Sequence, residues 1–138
     1  MLKTDCIFCK IVNNEIPSKI IFENDKILAF LDINPISKGH TIVITKNHYS
    51  TIESIPEEEL SELFLSVKKI SILIRKKLKI DGYNILLNNY RAAGQIIDHI
   101  HVHIIPRRTD DNLINLEIPK EQATQSELEE VLKLIIKN

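Results

Sequence analysis

Short apolar runs separated by turn-forming residues mark the first third of the chain. From Lys19 the segments KIIFE and KILAFLD flank Asn24-Asp25, which predicts two antiparallel strands joined by a tight turn. After a loop around Asn34, Pro35 and Gly39, the alternation in HTIVITK predicts a third strand ending near Lys46. The period then changes. Leu60, Leu63, Phe64, Val67, Ile70, Ile74 and Leu78 recur at three- and four-residue steps, which predicts one long helix from Pro56 to Lys79. Pro56 suits its first position, Glu57, Glu58 and Glu59 meet the positive end of its dipole, and Arg75, Lys76 and Lys77 meet the negative end. Asp81-Gly82 turns the chain into YNILLN, a fourth strand, and Asp98 to Ile105 forms a fifth that Pro106 stops. Thr124 followed by Glu127 is a capping box opening a final helix through Leu128, Val131, Leu132 and Ile135. Short connections and one inserted helix predict an α+β fold. It would hold a five-stranded antiparallel sheet, with the long helix between strands 3 and 4 covering one face, plus a C-terminal helix.

A length of 138 residues suits one domain, and no repeat or Gly/Ser- or Pro-rich linker divides it. Residues 1–106 are therefore expected to form the domain, and 107–138 a tail whose helix packs on the same domain. With 43% hydrophobic and 27% charged residues the composition is that of an ordinary globule. Eighteen basic residues against nineteen acidic leave a net charge of −1, so the field on which a dedicated nucleic-acid binder or polybasic membrane protein relies is missing. Neither nucleic acid nor membrane is an expected partner. The longest purely apolar run, Ile27 to Leu31, is far short of the ~20 residues that cross a bilayer, and nothing near Met1 has a signal-peptide pattern. A cytoplasmic location is expected. Cys6 and Cys9 are too few for a disulfide scaffold; their spacing suits half a zinc site, a redox pair or two buried apolar thiols.

The densest chemistry lies in HIHVHII. Side chains alternate across a strand, so His99, His101 and His103 share one face while Ile100 and Val102 point to the core. At ~3.3 Å per residue the outer two stand about 13 Å apart, with His101 about 7 Å from each. Three readings follow: a polar strand face that happens to be histidine, a metal cluster, or covalent catalysis in which neutral His101 attacks an electrophilic phosphorus. Asp98, the near carboxylate, points to the opposite face, which disfavours a hydrolytic metal site, and strict alternation disfavours chance.

HIHVHII matches every position of the His-φ-His-φ-His-φ-φ signature (φ apolar) of the histidine triad, or HIT, superfamily, and the chain resembles that family further. CIFCKI, FLDINP, KGHTIVITKNH and NNYRAAGQIIDHIHVHIIPR are similar, in order, to blocks of small bacterial and Hint-like members, from about Cys6 to Arg107. The resemblance implies a homodimer of the HIT-like α+β fold with a pocket for a purine nucleoside monophosphate. It implies hydrolysis or transfer at the α-phosphorus of AMP or GMP joined to an amine, an acyl group or further phosphates, as in a phosphoramidase or dinucleoside polyphosphate hydrolase. No catalytic cofactor is implied.

Residue by residue, the resemblance makes His101 the nucleophile that forms a nucleotidyl-histidine. His103 would face the non-bridging oxygens, and His99 would support them both. An imidazole of ordinary pKa ~6.5 is largely neutral near pH 7 and needs no separate strong base. Asn88, Gly94 and Gln95 match phosphate contacts. Ile96 stands where many relatives carry Ser or Thr, so a hydroxyl donor is missing, although its backbone N–H could bind phosphate. Asp32 matches the ribose-binding carboxylate, or else it caps a loop. Ile7, Phe8, Leu31 and Ile33 match the walls around the base, or else they are plain core. Relatives with the N-terminal cysteine pair complete it with histidines at the places of His48 and His99, so Cys6, Cys9, His48 and His99 are the implied ligands of a structural zinc. His40 is read as a structural tie between its loop and the third strand. The base and the leaving group stay open. The alternative to an enzyme is a zinc-stabilised dimeric nucleotide-binding scaffold with little turnover.

Overall fold

The computed structural model describes residues 2–113 and 118–137. In chain order it holds α1 (Ile7–Val12), β1 (Ile20–Glu23), β2 (Ile27–Leu31), β3 (Thr41–Thr45), α2 (Glu57–Leu78), β4 (Gly82–Leu86), a single 3-10 turn (Arg91–Ala93), β5 (His101–Arg107) and α3 (Gln125–Ile136). The five strands form one sheet in the order β1-β2-β3-β5-β4, every neighbouring pair antiparallel. This is the expected α+β architecture, with the long helix between β3 and β4 and a helix at the C-terminus.

Both faces of the sheet are covered. On one, Leu63, Val67, Ile70 and Ile74 of α2 pack on Ile27, Ala29, Val43, Val102 and Ile104. On the other, Phe8, Cys9 and Ile11 of α1 pack on Leu28, Phe30, Ile42 and Ile44. Two covered faces explain why β2 and β3 read as nearly continuous apolar runs, since every residue of the two strands but Leu31 is buried. Sequence periodicity did not find α1. Six residues are too few to establish a helical period, and its Cys6 cap, which accepts from the Cys9 N–H, is an unusual one.

The α2 stripe is buried at Leu63, Val67, Ile70 and Ile74 and half-buried at its ends, Leu60 and Leu78, while Phe64 sits at the flank, 40% exposed. Pro56 lies one place earlier than expected, as the extended residue capping the helix. At the other end Lys79 takes a left-handed conformation, and the Arg108 guanidinium donates to the carbonyls of Leu78 and Lys79. Gly39 comes close to this end: a Cβ there would press on Leu78 Cδ1, and its φ of +92° is one that side-chain-bearing residues rarely adopt, so glycine lets the loop turn into β3 and deliver His40. The final helix has the expected capping box between Thr124 and Glu127. It buries none of its residues, so burial lends no support to the expected packing of the tail on the same domain.

Candidate active site

β5 is an inner strand between β3 and the edge strand β4, and its register places His101 opposite Ile44 and His103 opposite Ile42. The imidazole rings therefore lie on the face that α1 covers. The regular strand begins only at His101 and runs through Pro106, which pairs with Tyr83, to Arg107, so Pro106 does not stop it; just before it, the Ile100 N–H donates to the Tyr49 carbonyl instead. His99 thus stands at a bend and turns away from its two successors.

A cavity of about 460 Å³ opens beside His101 and His103, within the range of small-ligand sites. Of the residues expected to form the site, it is lined by Ile7, Phe8, Leu31, Asp32 and Ile33, and by Gly94 and Ile96 from the facing loop. Plain core does not describe most of its walls, since Ile7, Leu31 and Ile33 are exposed. Phe8 is both wall and core, and its ring meets the edge of His101 at 5.1 Å. Among the described residues no lysine or arginine lines the cavity, and Asp32 supplies its one carboxylate. One Asp32 oxygen caps the loop by accepting from the Asn34 N–H at 2.8 Å; the other lies 3.6 Å from His40 Nε2.

Hydrogen bonds to backbone groups settle where each ring carries its proton, because a carbonyl can only accept and an N–H can only donate. His101 Nδ1 lies 2.7 Å from the His99 carbonyl, so Nδ1 bears the hydrogen and Nε2 keeps the lone pair. His40 Nδ1 accepts from the Ile36 N–H at 3.0 Å, so its Nε2 bears the hydrogen and donates to His103 Nδ1 at 2.9 Å. His103 is left with its proton on Nε2. The pair at the cavity is thus one imidazole with an open lone pair and one with an N–H to donate. Burial, more than any neighbouring charge, lowers the pKa of both: His103 falls to about 4, with His101 and His40 pushing the same way, and His101 falls with Asp32 opposing. Both are neutral near pH 7. His40 does tie its loop to the sheet as expected, but its hold on His103 escaped the sequence reading; the lining residues Phe30, Ile36, Ile42 and Ile97 escaped it too.

Two expected phosphate contacts are placed differently. The Gln95 side chain is buried away from the cavity, with its amide nitrogen donating to the carbonyls of Ser50 and Ile97 and its oxygen accepting from the Tyr90 N–H. Every group a phosphate would need is committed, and Gln95 braces the loop instead. The need for a brace is visible in Tyr90, whose φ of +70° is strained for a side-chain-bearing residue. Asn88 is not among the cavity's lining residues, but a Cβ on Gly94 would sit 3.5 Å from its amide nitrogen, so its side chain lies beside the loop backbone.

His99 belongs to a second centre. Its Nε2 donates to the Thr45 carbonyl at 2.7 Å, which leaves the Nδ1 lone pair facing Cys6 Sγ at 3.4 Å and Cys9 Sγ at 3.6 Å. Cys9 Sγ is also 3.4 Å from His48 Nδ1, and the four ligand atoms lie within 4.8 Å of one another. A tetrahedral zinc with bonds of about 2.3 Å to sulfur and 2.05 Å to nitrogen holds S and N roughly 3.5 Å apart, so the donor set fits that ion in both chemistry and spacing. Burial raises the Cys9 thiol pKa and lowers that of His99 to about 4, and a bound cation would favour the thiolate and neutral imidazole that it ligates. Asp32, His40 and His103 are also near one another, but at 2.9 Å the two histidines are hydrogen-bonded.

The chain is similar to known proteins over most of its length. The family model described as HIT domain matches residues 13–110. An uncharacterized HIT-like protein of Methanocaldococcus jannaschii is 48% identical over 94% of this chain and 98% of its own. The adenosine 5'-monophosphoramidase HNT1 of Candida albicans is 40% identical over 84% of this chain and 79% of its own. The adenylylsulfatase HINT3 of Arabidopsis thaliana is 45% identical over 81% of this chain and 57% of its own. Among solved structures, SMU.412c of Streptococcus mutans UA159 superposes with a TM-score of 0.91 at 37% identity, covering 98% of this chain and 85% of that one. A Zn-bound histidine triad family protein of Mycobacterium smegmatis does so with a TM-score of 0.77 at 36% identity, covering 85% and 84%. With the signature strand, the fold and these relatives in agreement, the chain belongs to the HIT family.

Proposed function

We propose that the protein is a nucleotide hydrolase or transferase that cleaves purine nucleoside monophosphate conjugates at the α-phosphorus through a nucleotidyl-His101 intermediate. The observation that carries this reading is the hydrogen bond from His101 Nδ1 to the His99 carbonyl, which leaves Nε2 as the ring's lone pair beside the cavity. In the first step Nε2 bonds to phosphorus as the bond to the leaving group breaks; the leaving group departs with the electron pair and takes up a proton. The His99 carbonyl, already facing Nδ1–H, stabilises the positive charge that develops on the ring. Water then attacks phosphorus, releases the monophosphate and restores His101. His103 Nε2–H donates to a non-bridging oxygen, together with the Ile96 N–H, so charge develops against neutral donors fixed in advance. Asp32 accepts from the ribose hydroxyls, and Ile7, Phe8, Leu31 and Ile33 enclose the base.

The charge inventory of the cavity supports a choice of leaving group. With no cation among its described lining residues, a leaving group that adds negative charge, such as sulfate or a polyphosphate, has nothing to offset it, whereas an amine does not need it. The monophosphoramidase activity named for the Candida albicans relative is in keeping with this reading. Cys6, Cys9, His48 and His99 would hold a structural zinc that pins α1 over the sheet and fixes His99, whose carbonyl orients the nucleophile; such a closed Cys₂His₂ set supplies no chemistry to the reaction. A homodimer is proposed as well, supported by the edge strand β4, which leaves Tyr83, Ile85 and Leu86 exposed. A cytoplasmic site of action is in keeping with the composition, and no helix among the described residues is long and apolar enough to cross a membrane.

The test is intact-mass spectrometry after mixing with an AMP phosphoramidate. An adenylyl adduct that is absent from His101→Ala is the expected result. Nucleotide binding with neither adduct nor turnover would overturn the enzyme in favour of a binding scaffold.

A further inference from the structure

α3 is the one α-helix among the described residues that buries nothing. Leu128, Val131, Leu132 and Ile135 fall on a single stripe, yet they are 48% to 75% exposed. A twelve-residue helix is marginal by itself in water, and a capping box adds only about 1 kcal/mol. The tail nevertheless takes part in a superposition that covers 98% of this chain at a TM-score of 0.91. Among the described residues, nothing in its own domain covers the stripe.

The charge pattern says what. Glu121, Glu127, Glu129 and Glu130 follow one another with no basic residue between them, and Glu127 and Glu129 flank the two sides of the apolar stripe. On α2 the opposite holds: no acidic residue occurs from Leu63 to Ile80. Its outward face presents exposed Leu65 and Ile72, seven residues apart, flanked by Lys68, Lys69, Arg75 and Lys76. None of these four cations is ion-paired among the described residues. An acid-flanked apolar stripe and a base-flanked apolar stripe are complementary, and within one chain they do not cover each other.

We propose that α3 docks on the outward face of α2 in a second copy of this chain, with its apolar stripe over Leu65 and Ile72 and its glutamates against the α2 cations. Two-fold symmetry makes the contact twice. The inference rests on the dimer reading above and names a surface for it. Two charge-reversed variants test it, Lys68→Glu with Lys69→Glu in one and Glu129→Lys with Glu130→Lys in the other. In low-salt sedimentation velocity each is expected to raise the dimer dissociation constant at least tenfold, and an equimolar mixture is expected to restore dimer, because each α3 then meets an α2 of opposite charge. Hydrogen exchange on the wild-type chain is expected to protect α3 amides above the dissociation constant and to lose that protection on dilution. Protection independent of concentration would mean that α3 is held by its own domain and would overturn the docking. A dimer with α3 amides unprotected overturns the docking and leaves the dimer standing, whereas a chain monomeric at every concentration overturns both.

Discussion

His99 and His101 are two residues apart on one segment, both buried and both hydrogen-bonded to a backbone carbonyl, yet they serve different centres. His99 gives its Nε2 hydrogen to Thr45 and turns the Nδ1 lone pair on two thiols; His101 gives its Nδ1 hydrogen to the His99 carbonyl and keeps Nε2 for the cavity. The same side chain is suited to the proposed role of metal ligand or of nucleophile according to which nitrogen the backbone occupies. The two centres are joined through one residue, since the carbonyl that accepts from the proposed nucleophile belongs to a proposed zinc ligand.

The sharpest way to break this comparison is to remove one function at a time. His101→Ala is expected to lower kcat/KM by about 10⁴ or more while leaving about one zinc per chain, checked by steady-state kinetics beside metal analysis. Loss of both together would mean that the centres are not separable. Cys9→Ser should do the converse, with zinc lost and the melting temperature down by about 5–10 °C, or ~2–3 kcal/mol, while His101 is still adenylated at low temperature. A variant that melts like wild type would reduce the cysteines to packing.

His40→Phe probes the tautomer argument, because it removes the hydrogen that fixes the proton of His103 on Nε2. A fall of about 10–100-fold in kcat with unchanged zinc content is expected, and unaltered kcat would show that the lock is unimportant. The pH dependence of stability is a further probe. With His103 near 4 in the folded chain and about 6.5 unfolded, the unfolded state binds the extra proton between these values. Stability is therefore retained above pH 6.5 and falls as pH drops toward 4, by up to about 3 kcal/mol. Urea midpoints across that window should flatten in His103→Asn; parallel slopes in the two proteins would assign the limb to other groups.

Legibility in the sequence followed the range of the forces involved. The α2 stripe, the hairpin of β1 and β2 and the Thr124 capping box all rest on neighbours a few residues apart, and all stand where the pattern puts them. The triad could be read as one-sided because strand alternation is local. Gln95 shows where this stops: from sequence it is a polar residue beside a glycine in a phosphate-facing block, and nothing there shows that Ser50, Ile97 and Tyr90 would use all its groups. Ile7 and Phe8 likewise became cavity walls only through a helix too short to announce itself.

By itself, the order of apolar and polar residues determined the five antiparallel strands, the two longer helices and the row of imidazoles. Only the tertiary structure decided which nitrogen of each imidazole is free, that His40 holds His103, and that α3 stands uncovered. The reason is physical: periodicity is a property of adjacent residues. The tautomers of His99 and His103 are set instead by the Thr45 carbonyl, 54 positions away, and by the His40 ring, 63 positions away, which come within hydrogen-bonding distance only when the sheet closes.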